Sequence, residues 1–195
     1  MSADSQWPRY QVFLQEKQGA PHQDVGSVHA PDPEIALQNA RDVFVRRPEC
    51  FNLWVVPADV ILSKTAQELG SWHKALAASE ANTDEKRDMG QSSEVYWVFN
   101  KIRSAGTQTL VGEVSANSPD QALEIAIQKF SGEAQPLAWW VFPERLVVRS
   151  EPEDAESLFA PSLDKPFRMS TDFHTVSAMR RIRAVKDNQS EGKSP

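Results

Sequence analysis

The chain has 195 residues, 40% of them hydrophobic and 25% charged, and its 27 acidic against 21 basic residues give a net charge of −6. That is the composition of a globular protein, and the acidic balance argues against nucleic-acid binding, whose footprint is a basic surface. The single cysteine, Cys50, excludes an intramolecular disulfide and a cysteine zinc site. No apolar run approaches the ~20 residues of a membrane span. The opening MSADSQWPRY has no apolar signal core, so the expected setting is the cytoplasm.

The first predicted element is a strand, YQVFLQ (10–15), rich in aromatic and β-branched residues. KQGAPHQ (17–23) carries Gly and Pro and reads as a hairpin loop into a second strand, DVGSVHA (24–30). Gly26 inside that strand marks a bulge or a close backbone approach under the following helix. Asp32 before Pro33 fits an N-cap with proline at the first helical position. Ala36, Leu37, Ala40 and Phe44 then share one helical face, and Pro48 stops the helix. NLWVVPADVIL (52–62) reads as the last strand, with a bend or an edge position expected at Pro57.

Sliding the chain against itself by 86 residues brings this series back. Tyr10, Val12 and Phe13 fall on Tyr96, Val98 and Phe99, and Gly26 falls on Gly112. The helix stripe falls on Ala122, Leu123, Ala126 and Phe130, and Trp54, Val55 and Pro57 fall on Trp140, Val141 and Pro143. There are 15 identities over the 53 positions from 10 to 62, without a gap. The matched residues are mostly apolar, Gly or Pro, the types that fix a fold. The second copy has strands 96–101 and 110–116, a Ser118–Pro119 helix start with Gln121 completing a capping-box pattern, a stop at Gly132 and a last strand at 138–148.

The predicted fold class is therefore α+β: two tandem β-β-α-β repeats with pseudo-twofold symmetry, plus an irregular C-terminal arm. Repeat one covers 7–62, a linker with a possible helix over 64–79 covers 63–92, repeat two covers 93–148, the arm 149–183, and a disordered tail 184–195.

Chemistry-bearing motifs are sparse. There is no glycine-rich phosphate loop, no G-x-S-x-G and no E-x-x-H. His22, His29, His73 and His174 are scattered and read as packing or surface residues. Cys50 has no pairing partner and reads as inert. No catalytic, cofactor-binding or metal residue is assigned. Trp54 and Trp140 repeat and read as core. Trp97 and Trp139 do not repeat, and one of them is a candidate exposed interface anchor, because Trp is enriched at hot spots. Arg46 and Arg47, with Arg180, Arg181 and Arg183, are candidate docking residues for an acidic partner surface.

Residues 7–56, with W-P-x-Y-x-V-F, V-G-S-V-H-A, and A-L-x-N-A-R-D followed by R-R and W-V-V, resemble the B-subunit family of the phenylacetic acid degradation oxygenase. SLDKPFRMSTDF (162–173) resembles that family's C-terminal stretch and adds Phe167 to the candidate interface. Repeat two departs from the pattern, with ALEIAIQKF (122–130) in place of the N-A-R-D run, and Glu113 and Ser115 where repeat one has Ser27 and His29. A usual family member is a single repeat, and here the family's arm follows only repeat two.

The resemblance implies a non-catalytic, bridging subunit of a multicomponent monooxygenase that epoxidises the ring of phenylacetyl-CoA or a related aryl-CoA. Its implied partners are a di-iron catalytic subunit and a helical support subunit, and a flavin and iron–sulfur reductase supplies electrons. The fused repeats are expected to replace the homodimer of single-repeat relatives, with no cofactor, nucleic acid or membrane involved. A small-ligand regulatory module with a site at the seam of paired α+β repeats is the alternative. An RNA-binding role is a further rival, disfavoured by the net charge.

Overall fold

A computed structural model describes residues 7–45, 50–81, 93–132, 135–151, 153 and 155–162. Eight strands form one antiparallel sheet, accompanied by four α-helices among the described residues. The first half of the chain supplies β1 (Arg9–Gln15), β2 (Gln23–His29), α1 (Pro33–Phe44), β3 (Asn52–Pro57), β4 (Leu62–Thr65) and α2 (Ala66–Ala81). The second half supplies β5 (Glu94–Lys101), β6 (Thr109–Ala116), α3 (Pro119–Phe130), β7 (Ala138–Pro143), β8 (Val148–Arg149) and α4 (Ala155–Phe159).

Local chemistry starts α1 and α3 in the same way. The Asp32 carboxylate accepts from Ile35 N–H at 2.8 Å, and the Ser118 hydroxyl accepts from Gln121 N–H at 3.2 Å. Each satisfies one of the orphan donors of a helix start, worth about 1 kcal/mol. Proline follows each cap, where its missing N–H costs nothing. The helices end at Phe44 and Phe130, and Pro48 lies outside the described residues. The predicted stripe faces the sheet: Ala36 and Ala40 of α1 are fully buried, as are Ala122, Leu123 and Ala126 of α3.

Gly26 and Gly112 sit beneath these helices. Their φ angles of +130° and +154° disfavour any side chain, and a Cβ would meet the Phe44 ring at 3.0 Å or the Phe130 ring at 2.6 Å. Both strand pairs also carry a bulge beside the glycine, opposite Val12/Phe13 and Val98/Phe99.

The strand registers of the two halves coincide at the 86-residue offset. Tyr10 opposes Val28 and Pro57, while Tyr96 opposes Val114 and Pro143. The halves join where β2 meets β6. Gln23 opposes Thr109, its own counterpart, and two hydrogen bonds flank the pair: Asp24 N–H to Gln108 O at 2.8 Å and Leu110 N–H to His22 O at 2.9 Å.

The predicted last strands differ from the structure. The segment 52–62 is not one strand. β3 ends at Pro57, a 3₁₀ turn follows, and β4 leaves its own half to pair with β7. The segment 138–148 behaves alike: β7 ends at Pro143, and β8 pairs with β3. Pro57 and Pro143 mark the ends of strands, where proline's missing N–H leaves the ladder intact. Within the predicted linker 63–92, the expected helix over 64–79 is α2, and the strand β4 precedes it. Thr65 and Glu68 exchange side-chain and backbone hydrogen bonds as a capping box at the start of α2. Of the predicted arm, Arg149 belongs to β8 and 155–162 is helical, while its later part and the tail lie outside the described residues.

These crossings require the sheet to curl. The strand order is β4-β7-β5-β6-β2-β1-β3-β8, so β3 and β4 are six places apart. On a flat sheet that is about 29 Å, yet the five steps from Pro57 to Leu62 reach at most about 18 Å. The concave face is filled by Phe13, Trp54, Val56, Phe99, Phe142 and Val147. The convex face carries two further cores, one under α1 with Val12, Leu53 and Val55, the other under α3 with Val98, Trp139 and Val141.

Candidate partner-docking surface

Neither Trp97 nor Trp139 stands exposed as an anchor. Strand alternation turns Trp139 beneath α3, where it is 1% exposed, and Trp140 toward the concave core. Trp97 is half-buried on the concave side, 5.1 Å from Trp54 between ring centroids. The expectation of an exposed tryptophan assumed that one sheet face meets solvent. Here the helices cover one face and the curl encloses the other. The remaining candidates, Arg46, Arg47, Phe167, Arg180, Arg181 and Arg183, lie outside the described residues.

The structure puts a different tryptophan on the surface. Trp7 is 59% exposed at the start of β1. Its carbonyl accepts from His29 Nδ1 at 2.8 Å, which places the proton of a neutral imidazole on Nδ1. Asn39 Nδ2 donates to the His29 carbonyl at 3.2 Å, tying the end of β2 to α1. Along that helix Ile35, Asn39 and Val43 recur at four-residue spacing, and Ile35 and Val43 are exposed. At the equivalent positions the second half has Ser93, Ser115, Gln121, Ile125 and Lys129. There Gln121 accepts from Asn117 N–H, Lys129 donates to the Glu113 carbonyl, and Leu69 and Trp72 of α2 pack against the α3 core. At these equivalent positions the exposed apolar side chains therefore belong to the first half, while Ile102 and Leu137 of the second half are exposed elsewhere. A signal for this was present: Trp7 has a serine at its 86-residue offset, so its ring is not needed by the shared fold.

The concave side holds a small polar group near the join of the halves. His22 stacks on Trp54 at 3.6 Å, and its Nε2 lies 3.1 Å from Asn52 Oδ1. Burial lowers the His22 pKa to about 4, helped by the Arg149 cation, against the opposing hydrogen bond from Asn52. Asp24 accepts from Gln11, and burial raises its pKa. Burial pushes the Cys50 thiol up to about 12, so it stays protonated and a poor nucleophile. No group of three His, Cys, Asp or Glu side chains is arranged to hold a metal ion among the described residues. No helix of the described residues is long and apolar enough to cross a membrane.

The sequence model of the family "Phenylacetic acid degradation B" matches residues 6–83 and 92–180. The chain belongs to the phenylacetic acid degradation B family. A relative, the B subunit of 1,2-phenylacetyl-CoA epoxidase from Escherichia coli (strain K12), is 47% identical over 66 residues, covering 34% of this chain and 70% of the relative. No solved structure matches. The two family segments begin 86 residues apart, and each runs past its β3 or β7 into the strand and helix that follow. For this member of the B family, 62–81 thus lies inside the first family segment.

Proposed function

We propose that this chain is a non-catalytic bridging subunit of a multicomponent ring-epoxidising monooxygenase in phenylacetate catabolism, acting on phenylacetyl-CoA or a related aryl-CoA. Family membership and the epoxidase relative support the pathway and the company of other subunits. The partners are the di-iron catalytic subunit and the helical support subunit of that enzyme, in the cytoplasm. The chain is a tandem duplication whose halves pack with pseudo-twofold symmetry and stand in for two single-repeat subunits. One observation carries this reading: the strands pair in the same registers at an 86-residue offset, and Gln23 meets its own counterpart Thr109 at the join. Fusion then raises the effective concentration of one half for the other.

The first-half surface around Trp7, Ile35 and Val43 is the docking face, and Arg46 and Arg47, which follow α1 in the sequence, remain candidate docking residues. An exposed tryptophan beside aliphatic side chains is the composition of an interface centre, and cations in general steer encounter with an acidic partner. The seam where a ligand module would open its site is filled by Phe13, Phe99 and Phe142, with ring centroids 4.4–5.4 Å apart. The test is co-purification of the full chain with the catalytic and support subunits. A stable complex is expected, and a chain that captures neither partner overturns the assignment.

A further inference from the structure

The strand and helix that follow each half's turn form an arm, and each arm seats on the opposite half. Leu62–Thr65 pairs with β7, and Leu69 and Trp72 of α2 pack against the core under α3. Val148 and Arg149 pair with β3, and Ala155, Leu158 and Phe159 pack against the core under α1. The registers match at the 86-residue offset: Leu62 opposes Val141, and Val148 opposes Val55. The contacts at the two seats differ.

The second arm enters a polar seat. Ser150, 2% exposed, accepts from Leu53 N–H through its hydroxyl at 3.0 Å. Its carbonyl accepts from Asn52 Nδ2 at 3.0 Å, and its own N–H donates to Leu53 O at 2.8 Å. Asn52 in turn meets His22, and Arg149 lies over the Trp54 ring at 5.6 Å. The first arm has Ser63 and Lys64 where the second has Arg149 and Ser150. Its own seat on β7 offers Ala138 where β3 offers Asn52 and Gln108 where β2's loop offers His22, and it is secured instead by Trp72 Nε1 donating to Asp120 at 3.0 Å.

We propose that the two arms are addressed. The second arm is a ligand for the first half alone, because the buried seat that takes Ser150 would enclose the Lys64 ammonium if the first arm entered it. Burying a charge without a counter-ion is strongly unfavourable. The partner that fits the β3 edge of the first half is therefore the second arm and not a like half, so the chain closes on one first half and one second half. This rests on the duplication reading above.

The test uses the full chain and no partner protein, so its outcome is separate from that of the oxygenase assignment. Thr65 opposes Ala138, and because Ala66 N–H donates to Leu137 O, that pair is not hydrogen-bonded. Such pairs hold their Cα atoms about 4.5 Å apart, within disulfide reach. Thr65→Cys with Ala138→Cys should oxidise to an intramolecular disulfide, whereas Glu151→Cys with Ala138→Cys should stay reduced. The reverse result, or two reduced pairs, overturns the arm exchange. For the address, Arg149→Ser with Ser150→Lys should lower Tm by roughly 10 °C or abolish folding. The reciprocal Ser63→Arg with Lys64→Ser should stay within about 2 °C of the unaltered chain. The milder Ser150→Ala, which leaves Leu53 N–H unpaired, should lower Tm by about 3–6 °C. If Arg149→Ser with Ser150→Lys and Ser150→Ala both melt with the unaltered chain, the arms carry no address.

Discussion

Phe13 and Phe99 occupy equivalent places in the two halves, and their ring centroids are 4.4 Å apart on the concave face of the sheet. Each also stacks on Phe142, at 5.3 and 5.4 Å. Both phenylalanines are fully buried. Removing either ring leaves a cavity that rigid strands cannot fill. Phe13→Ala and Phe99→Ala are each expected to cost about 3–5 kcal/mol. The residues are in contact, so the double variant should fall short of the sum by about 1 kcal/mol or more. Chemical denaturation of the four proteins of the cycle measures this. Strict additivity would mean that the halves do not share this core.

The glycines under the helices give a graded comparison. A Cβ at Gly112 meets Phe130 at 2.6 Å, and one at Gly26 meets Phe44 at 3.0 Å. Both also have a φ that disfavours alanine. Gly112→Ala is expected to destabilise by on the order of 2–3 kcal/mol and Gly26→Ala by less. Phe130→Leu should relieve part of the Gly112→Ala loss, because it withdraws the ring edge. Equal melting shifts for the two glycine variants, unmoved by Phe130→Leu, would place the cost in the backbone alone.

These elements were legible because their causes are local. Asp32–Pro33 and Ser118–Pro119 cap helices within a few residues, and the Ala36–Ala40 stripe needs only the helical period. The Thr65–Glu68 capping box at the start of α2 has an equally local cause. The destination of β4 had no such signal. Four residues, LSKT, pair on the far edge because the curl brings that edge near, and the curl is set by contacts such as Phe13 with Phe99. The curl also encloses Trp97, while α3 covers Trp139: period-2 alternation tells which residues share a face, but not whether that face meets solvent. Trp7 was legible only by contrast with Ser93.

His22 makes stability depend on pH. In the folded chain its pKa is lowered to about 4, mainly by burial, against an ordinary value of 6.5. Below pH 6.5 the unfolded chain takes up a proton that the folded one refuses. The stabilisation is therefore complete above about pH 6.5 and is lost as pH falls toward about 4. The shift corresponds to about 3 kcal/mol. His22→Gln, which introduces the residue found at the equivalent Gln108, should remove this slope. Asp24, whose pKa burial raises, acts in the opposite direction, so the comparison is the difference between the two proteins from pH 7 to pH 4. Parallel stability curves would show that His22 is not held neutral.

The last prediction concerns the docking face. Trp7 is exposed in the first half, and its equivalent in the second half is Ser93. If the first half alone holds the oxygenase subunits, equivalent changes in the two halves should have unequal effects. Trp7→Ala should weaken the complex about tenfold or more, the loss of an interface tryptophan. Arg46→Glu with Arg47→Glu should weaken it chiefly by slowing association at low salt. Gln121→Ala with Lys129→Ala, at the second-half positions equivalent to Ile35 and Val43, should leave binding unchanged. Surface plasmon resonance against the co-purified catalytic and support subunits reads both rates, with circular dichroism as the folding control. Unchanged binding by the Trp7 and Arg46–Arg47 variants would move the interface elsewhere. Losses from both halves alike would mean that the duplicated chain still presents two equivalent docking faces, one for each of two partner copies.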